Sequence, residues 1–387
     1  MSEPRGFPPA EYRDRLAKAQ AAMADSGLAA LLLTTEADLR YFSGFLTRFW
    51  ESPTRPWFLI VPRAGDPVAV IPSIGVPLMA STWIADIRSW RAPDYDDDGV
   101  SLLAATLCEI VPEGAVIGVP SGLATQLRMP LGDWGRVQAA IGSRRFEGDA
   151  AIVQSLRMIK SPAEIRKIAA ACGVADRAFA RVGEIARTGV PLSEVFRRFQ
   201  MLCLAEGADW VPYLAGAAGP MGYSDVISPA TDRPLASGDV LMLDTGLVVD
   251  GYFCDFDRNF SLGPPEAAVA EAHDTLIAAT LAGFEAARPG NTAADLFHAM
   301  DRIVTGGAGG SDAGRLGHGL GMQLTEQPSL ISADHTPLAP GMVLTLEPGM
   351  VVSGDRIMVH EENIVITETG AAWLSTPAAA RIEVLEP

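Results

Sequence analysis

The sequence predicts an α/β domain followed by an α+β domain, with the break near residue 155. Through the first 150 residues, short apolar runs bounded by Pro, Gly and Asp alternate with helical stretches, the pattern of a layered α/β unit. Beyond residue 235 the chain becomes rich in strands and turns, with its helical blocks set apart from them, which is α+β organisation. The 387 residues suffice for two domains, each with its own core.

Residues 11–26 (EYRDRLAKAQAAMADS) carry helical periodicity with Leu16, Ala19 and Met23 on one face, and Gly27 ends the run. LAALLLTT (28–35), PWFLIVP (56–62), DPVAVIP (66–72) and AVIGVP (115–120) are the strand candidates of the first domain. The texture changes at 158–186, where Ser161, Pro162 and Glu164 fit the N-cap, N1 and N3 positions of a capping box. One long amphipathic helix is expected over that stretch. Residues 192–207 predict a second helix stopped by Gly207, and 264–288 and 291–305 predict two more. The domains are therefore set at 1–155 and 156–387.

A net charge of −17 repels phosphate backbones and argues against nucleic-acid binding. No apolar run approaches the roughly 20 residues needed to span a bilayer. The charged, proline-containing N-terminus lacks the apolar core of a signal peptide, so a cytoplasmic location is expected. Cys108, Cys172, Cys203 and Cys254 are scattered with no CxxC pair, which reads as free buried thiols in a reducing compartment.

The chemistry concentrates in VLMLDTGLVVDGYFCDFDRNF (240–260). Asp250-Gly251 predicts a type I′ hairpin turn, which sets Gly246 opposite Asp255 and puts Asp244, Asp255 and Asp257 on one face. Carboxylates so placed repel unless water or a cation screens them, and the apolar LMLD and YFC favour a buried face holding a cation. In MVLTLEPGMVVSGDRIMVHEENIVIT (342–367), Glu347 and Glu361 are symmetric about Gly354, so a hairpin through 353–355 brings them face to face while Glu362 points away. Between the hairpins His318 stands among Gly317, Gly319 and Gly321, which allow close approach to the imidazole. Alone it reads as a turn or core residue. With two aspartates and two glutamates it completes a set suited to a pair of Mn, Fe, Co or Zn ions.

TDRPLASGDVLMLDTG, GYFCDFDRNF, GHGLG, LAPGMVLTLEPGM and HEENIVIT, in that order, resemble the M24 pita-bread metallopeptidases, and LAALLLTTEADLRYFSGF resembles the creatinase-type N-terminal domain. The resemblance implies a creatinase-type α/β N-terminal domain, a pseudo-symmetric α+β catalytic domain and a homodimer. It implies Asp244, Asp255, His318, Glu347 and Glu361 as ligands of two divalent ions, Asp255 and Glu361 bridging, with Glu347 shuttling a proton. The expected reaction is cleavage of a small amide or dipeptide-like compound by metal-bound hydroxide.

Two departures qualify this. The family's second histidine in GHGxGxxxHE is Thr325 here, and SDVISPATDRPL also lacks one. Those histidines contact the substrate carbonyl, and losing such a donor typically costs roughly 10²–10³ in rate, which weighs against strict proline-peptide cleavage. Thr325 is the remaining candidate for that catalytic position. The family's DxTRTF reads DFDRNF, so Asp257 is expected either to add a metal ligand or to bind a cationic substrate, and Glu326 joins it in the expected substrate-binding set. RFWESPTRPW (48–57) adds Arg48, Phe49 and Trp50, read either as lining a dimer-completed pocket, with Trp50 facing a substrate cation, or as a loop packed in its own domain. The alternatives are a C–S lyase resembling the DMSP lyase DddP, and a metal-free binding module.

Overall fold

The structure, a computed structural model, describes residues 4–52, 55–311 and 314–386. The chain divides into two compact units, Pro4–Arg157 and Met158–Pro387.

In the first unit β1 (Ala30–Leu33), β2 (Phe58–Pro62), β3 (Val68–Pro72), β4 (Asp86–Trp90), β5 (Val116–Val119) and β6 (Arg145–Gly148) form one mixed sheet in the order β4-β3-β2-β1-β5-β6. Every residue of β1, β2 and β3 is buried, which is why these strands read as unbroken apolar runs instead of alternating ones. The two edge strands were not legible as strands. DIRSW and RFEG are partly exposed and carry no apolar run. The helix Pro9–Asp25 buries Leu16, Ala19 and Met23 as its periodicity requires.

The aromatic segment packs within this unit. Trp50 is buried, its ring 5.9 Å from Trp57, and the Arg128 guanidinium lies 5.1 Å from it. Arg128 also donates to the carbonyls of Trp50, Ser52 and Arg55, pinning the loop. Phe49 meets Trp57 edge-on, with Arg55 over its face. The cation on Trp50 is thus the protein's own arginine, which agrees with the reading of a loop packed in its own domain. Arg48 is exposed and pairs with Glu51 at 2.8 Å. Pro53 and Thr54 of this segment lie outside the described residues.

The second unit repeats one plan: a helix pair, then a sheet, twice. The helix Pro162–Phe179 starts on the expected capping box, Ser161 Oγ accepting from the Glu164 amide and the Glu164 carboxylate accepting from the Ser161 amide. It stops at Phe179 instead of continuing to 186. A 3₁₀ turn, Val182–Glu184, follows; Gly183 makes leaving the helix cheap, and Val182, Ile185 and Ala186 are buried by the change of direction. The helix Leu192–Glu206 ends on Gly207 at φ +117°.

The first sheet orders β18 (Glu383–Leu385), β10 (Phe256–Leu262), β8 (Asp239–Val249) and β7 (Trp210–Pro220), with β9 (Tyr252–Phe253) also on β8. The helices Ala267–Ala286 and Ala293–Val304 follow, the latter opened by a Thr292/Asp295 capping box. The second sheet orders β12 (Glu326–Ser329), β11 (His318–Gly319), β13 (Val343–Leu346), β16 (Glu362–Ile366) and β17 (Ala371–Trp373). A two-stranded ribbon, β14 (Gly349–Ser353) and β15 (Arg356–Val359), extends the β13–β16 pair. No helix among the described residues is long and apolar enough to cross a membrane.

Candidate metal centre

Asp250 and Gly251 both have positive φ, +48° and +78°, as a type I′ turn demands. The register continues from Val249↔Tyr252 to Thr245↔Phe256 and Asp244↔Asp257, so alternation puts Asp244, Asp255 and Asp257 on one face. In the second sheet Leu346 pairs with Glu362 and Gly349 with Val359, leaving Glu347 opposite Glu361 between the two ladders. The loop is tighter than expected: Ser353 pairs with Arg356 across Gly354-Asp355, and a bulge between Val351 and Ser353 absorbs the slip.

His318 is held by backbone packing that only glycine permits. A Cβ on Gly317, at φ +135°, would lie 2.3 Å from the Thr345 carbonyl oxygen, and one on Gly319 would lie 2.2 Å from that of Gln327. The close approach these glycines allow is therefore that of neighbouring strands. His318 Nδ1 lies 2.8 Å from the Gly319 carbonyl, which can only accept, so the proton sits on Nδ1 and Nε2 keeps its lone pair. Nε2 is 3.3 Å from Asp255 Oδ2. Ligand atoms of Asp255, His318 and Glu361 all lie within 4.8 Å of one another, and all three residues are buried.

The electrostatics show the remaining carboxylates in the same cluster. Burial, then the charges of Asp255, Asp257 and Glu347, raise the Asp244 carboxyl well above its usual range. Burial also raises Asp255, and it raises Glu361, on which Asp255, Glu347, Asp244 and Asp257 all act. Glu347 is half-buried and pushed up to about 7, chiefly by burial, with His318 and Arg315 opposing. Burial holds His318 below the usual histidine value, so it stays neutral. Asp244 Oδ1, Asp257 Oδ2 and Glu361 Oε1 are buried with no hydrogen-bond partner. Unpartnered carboxylate oxygens, clustered carboxyls and one imidazole lone pair fit divalent cations, which supply the missing positive charge.

Two residues of the expected substrate-binding set have partners inside the protein. Asp257 is 1% exposed; its Oδ1 accepts from the Glu361 amide and faces His360 Nδ1 at 3.2 Å. It belongs inside the cluster, bracing Glu361. Glu326 is buried against Lys160 Nζ at 3.0 Å and accepts from the amides of Met322 and Gln323, so it ties down the loop after Gly321. Thr325 accepts from Arg315 Nη2 at 3.3 Å. Arg48, Phe49 and Trp50 belong to the other unit.

Four residues of the site went unnoticed in the sequence. Tyr213, on β7, donates to Asp244 Oδ2 at 3.0 Å. Asn363, fully buried, accepts from the Asp255 amide at 3.0 Å and donates to the Asp255 carbonyl, joining the two halves of the ligand set. His360 sits between Asp257 and Glu362; burial alone would depress it, but these two carboxylates outweigh that and lift it to about 9. Arg315 acts on Asp255, Glu347 and His318. For Asn363 and His360 a signal existed, since both lie in HEENIVIT; for Tyr213 there was none.

The repeated helix-pair-and-sheet plan and this carboxylate–imidazole set define a metal-dependent hydrolase. Residues 166–368 match metallopeptidase family M24 and residues 15–159 match the creatinase/prolidase N-terminal domain. The chain is 31% identical over 373 residues to a probable dipeptidase PepE of Mycobacterium tuberculosis, covering 95% of each chain. It is 31% identical over 228 residues to a Xaa-Pro dipeptidase of Pyrococcus furiosus, covering 58% of this chain and 65% of that one. Among solved structures, dipeptidase PepE from Mycobacterium ulcerans superposes with a TM-score of 0.84 at 29% identity, covering 99% of this chain and all of that one. A prolidase from Thermococcus sibiricus shares the fold, with a TM-score of 0.85 at 24% identity over 97% and 99% of the two chains. The chain belongs to metallopeptidase family M24, with a creatinase-type N-terminal domain.

Proposed function

We propose that this chain is a dinuclear-metal hydrolase acting on a dipeptide or similar small amide, with residues 156–387 as its catalytic part. The observation that carries the reading is the set of buried, unpartnered oxygens on Asp244, Asp257 and Glu361 around Asp255 and His318. Asp244, Asp255, His318, Glu347 and Glu361 would hold two divalent ions, Mn, Fe, Co or Zn. Such a pair, when bound, makes water a nucleophile near neutral pH and polarises a substrate carbonyl. Glu347, the most exposed of the five, is placed to take up a proton at its carboxylate and pass it to the leaving nitrogen. His318 presents Nε2 because Gly319 holds its other nitrogen, and Asn363 and Asp257 orient Asp255 and Glu361.

The peptidase names of the relatives favour hydrolysis over C–S lysis, and the orphaned oxygens disfavour a metal-free binding module. The reading extends to a homodimer, from the family, and to a cytoplasmic location, which the four free cysteines fit.

Elemental analysis and a substrate panel test it. Protein purified without chelator is expected to carry about two divalent ions per chain and to hydrolyse dipeptides when loaded, and Asp255→Ala to lose both. Metal content no higher than that of Asp255→Ala, with no activation by any of the four metals, overturns the reading. Release of dimethyl sulfide from DMSP in place of peptide hydrolysis would favour the lyase.

A further inference from the structure

On the face of β10 away from Asp257 lies a cavity of about 410 Å³, at the low end of the roughly 300–1,000 Å³ of small-molecule sites. Arg258 and Phe260, which alternation along β10 turns away from Asp257, line it together with residues 376–379, Arg381 and Glu383. Most of its polar groups are committed elsewhere. Asp176 accepts from the Thr376 amide and hydroxyl, at 3.1 and 2.8 Å, and Arg177 is held by Glu206 at 3.1 Å. Arg258 pairs with Glu362 at 3.1 Å and donates to the carbonyls of Asp257, Glu361 and Thr376. Asn259 is taken by Tyr223 and Val359, and His360 by Asp257 and Glu362.

Three groups are left over. His273 Nε2 lies 3.0 Å from the Ala379 carbonyl, which can only accept, so the proton sits on Nε2 and Nδ1 is an acceptor. His273 is 4% exposed and this Nδ1 has no partner. Arg381 and Glu383 flank buried Ile382 and both line the cavity, yet among the described residues neither has an ion-pair partner. Opposite charges that share a cavity without pairing, beside a buried acceptor without a donor, complement a ligand that carries a carboxylate and an ammonium. Phe179, Phe260 and Pro377 supply apolar wall for its body. An anion or a cation alone would satisfy one of the two charges and be repelled by the other. An α-amino acid with an apolar side chain carries the whole complement, and the reaction proposed above releases such molecules.

We propose that this cavity is a second site, taking a small zwitterion of the amino-acid class with its carboxylate on Arg381 and its ammonium on Glu383 and His273, and that Arg258 couples it to the metal ligands. The site stands on its own residues; only the source of the amino acid rests on the hydrolase reading. The coupling route is short. Arg258 holds the Thr376 carbonyl of the cavity wall and also the Glu361 carbonyl, at 3.4 Å, so an occupant that fixes the wall fixes the backbone of a metal ligand. Metal and amino acid then strengthen each other's binding by the same factor.

Calorimetry on Asp255→Ala, and on chelated wild type as its check, separates this cavity from the metal centre. Leucine is expected to bind both proteins. Leucinamide and 4-methylpentanoate, each lacking one of the charges, are expected to bind at least about tenfold more weakly. Adding Arg381→Gln to Asp255→Ala weakens leucine by a similar factor and leaves leucinamide unchanged, a discrimination that a folding defect does not produce. Ala-Leu, which neither protein hydrolyses, distinguishes the sources: binding tighter than leucine marks the intact dipeptide as occupant, and weaker binding marks the product. In manganese-loaded wild type, saturating leucine is expected to raise resistance to chelator about fivefold or more. Arg381→Gln abolishes that protection and controls for leucine's own affinity for manganese. No leucine binding to Asp255→Ala or chelated wild type, or binding indifferent to Arg381→Gln, overturns the site, and equal protection in wild type and Arg381→Gln overturns the coupling. A chain that binds leucine in this way but hydrolyses no dipeptide overturns the hydrolase reading and leaves the site standing.

Discussion

Stripping the divalent metal is expected to make this protein less stable as pH rises from about 5 to 7. In the metal-free folded chain, burial and mutual repulsion raise the carboxyls of Asp244, Asp255 and Glu361 well above their usual range and raise Glu347 from 4.5 to about 7. A carboxyl raised on folding keeps its proton over a window in which the unfolded chain has already lost it. Within that window the folded state binds more protons, so stability falls with increasing pH. For Glu347 the window runs from 4.5 to about 7. At about 1.4 kcal/mol per unit, the loss for this group approaches 3 kcal/mol. That corresponds to roughly 6–12 °C of Tm for a unit of some 230 residues, and the other three carboxyls act in the same direction. Bound cations take the place of the protons and should flatten the profile. His360, lifted from 6.5 to about 9, contributes stability that is complete below 6.5 and lost as pH rises toward 9. It lies outside the expected five-ligand set, so the difference between loaded and stripped protein below pH 6.5 isolates the ligand carboxyls. Calorimetric melts of chelated and manganese-loaded protein at about pH 5, 6 and 7 measure this. A stripped protein whose Tm stays level or rises over that range would refute the reasoning.

Glu326 and the newly found Asn363 can be tested in the same way. Glu326→Ala leaves the Lys160 ammonium buried without its partner and is expected to cost about 3–5 kcal/mol of stability at unchanged metal content, read from denaturant unfolding and elemental analysis. Lost hydrolysis with stability intact would restore Glu326 to the substrate site. Asn363→Leu removes both bonds to the Asp255 backbone and is expected to weaken metal binding about 10–100-fold in chelator competition. Unchanged affinity would mean that Asp255 is held in place without it.

Much of the site was legible because hairpins obey local rules. Asp250-Gly251 sets a turn, the turn sets a register, and the register decides which of Asp244, Asp255 and Asp257 share a face. The same reasoning aligned Glu347 with Glu361, and the bulge before Gly354 did not disturb that pairing. The sequence was ambiguous where a residue type suits two roles. Glu326 beside Thr325 looks like a substrate contact in sequence, yet its partner Lys160 is 166 positions away. Trp50 looks like a face for a cation, and one does cover it, contributed by Arg128 of the same unit.

The sequence by itself therefore determined the donor set, the turn chemistry and the register within each hairpin, because these depend on neighbours a few residues apart. Only the tertiary structure decided that the two hairpins and His318 meet, that Asn363 binds Asp255 across 108 positions, and that Arg315 donates to Thr325. Such pairings depend on burial and on distances through space. A buried carboxylate must find a cation or a donor wherever the packed chain brings one, and spacing along the sequence does not encode where that is.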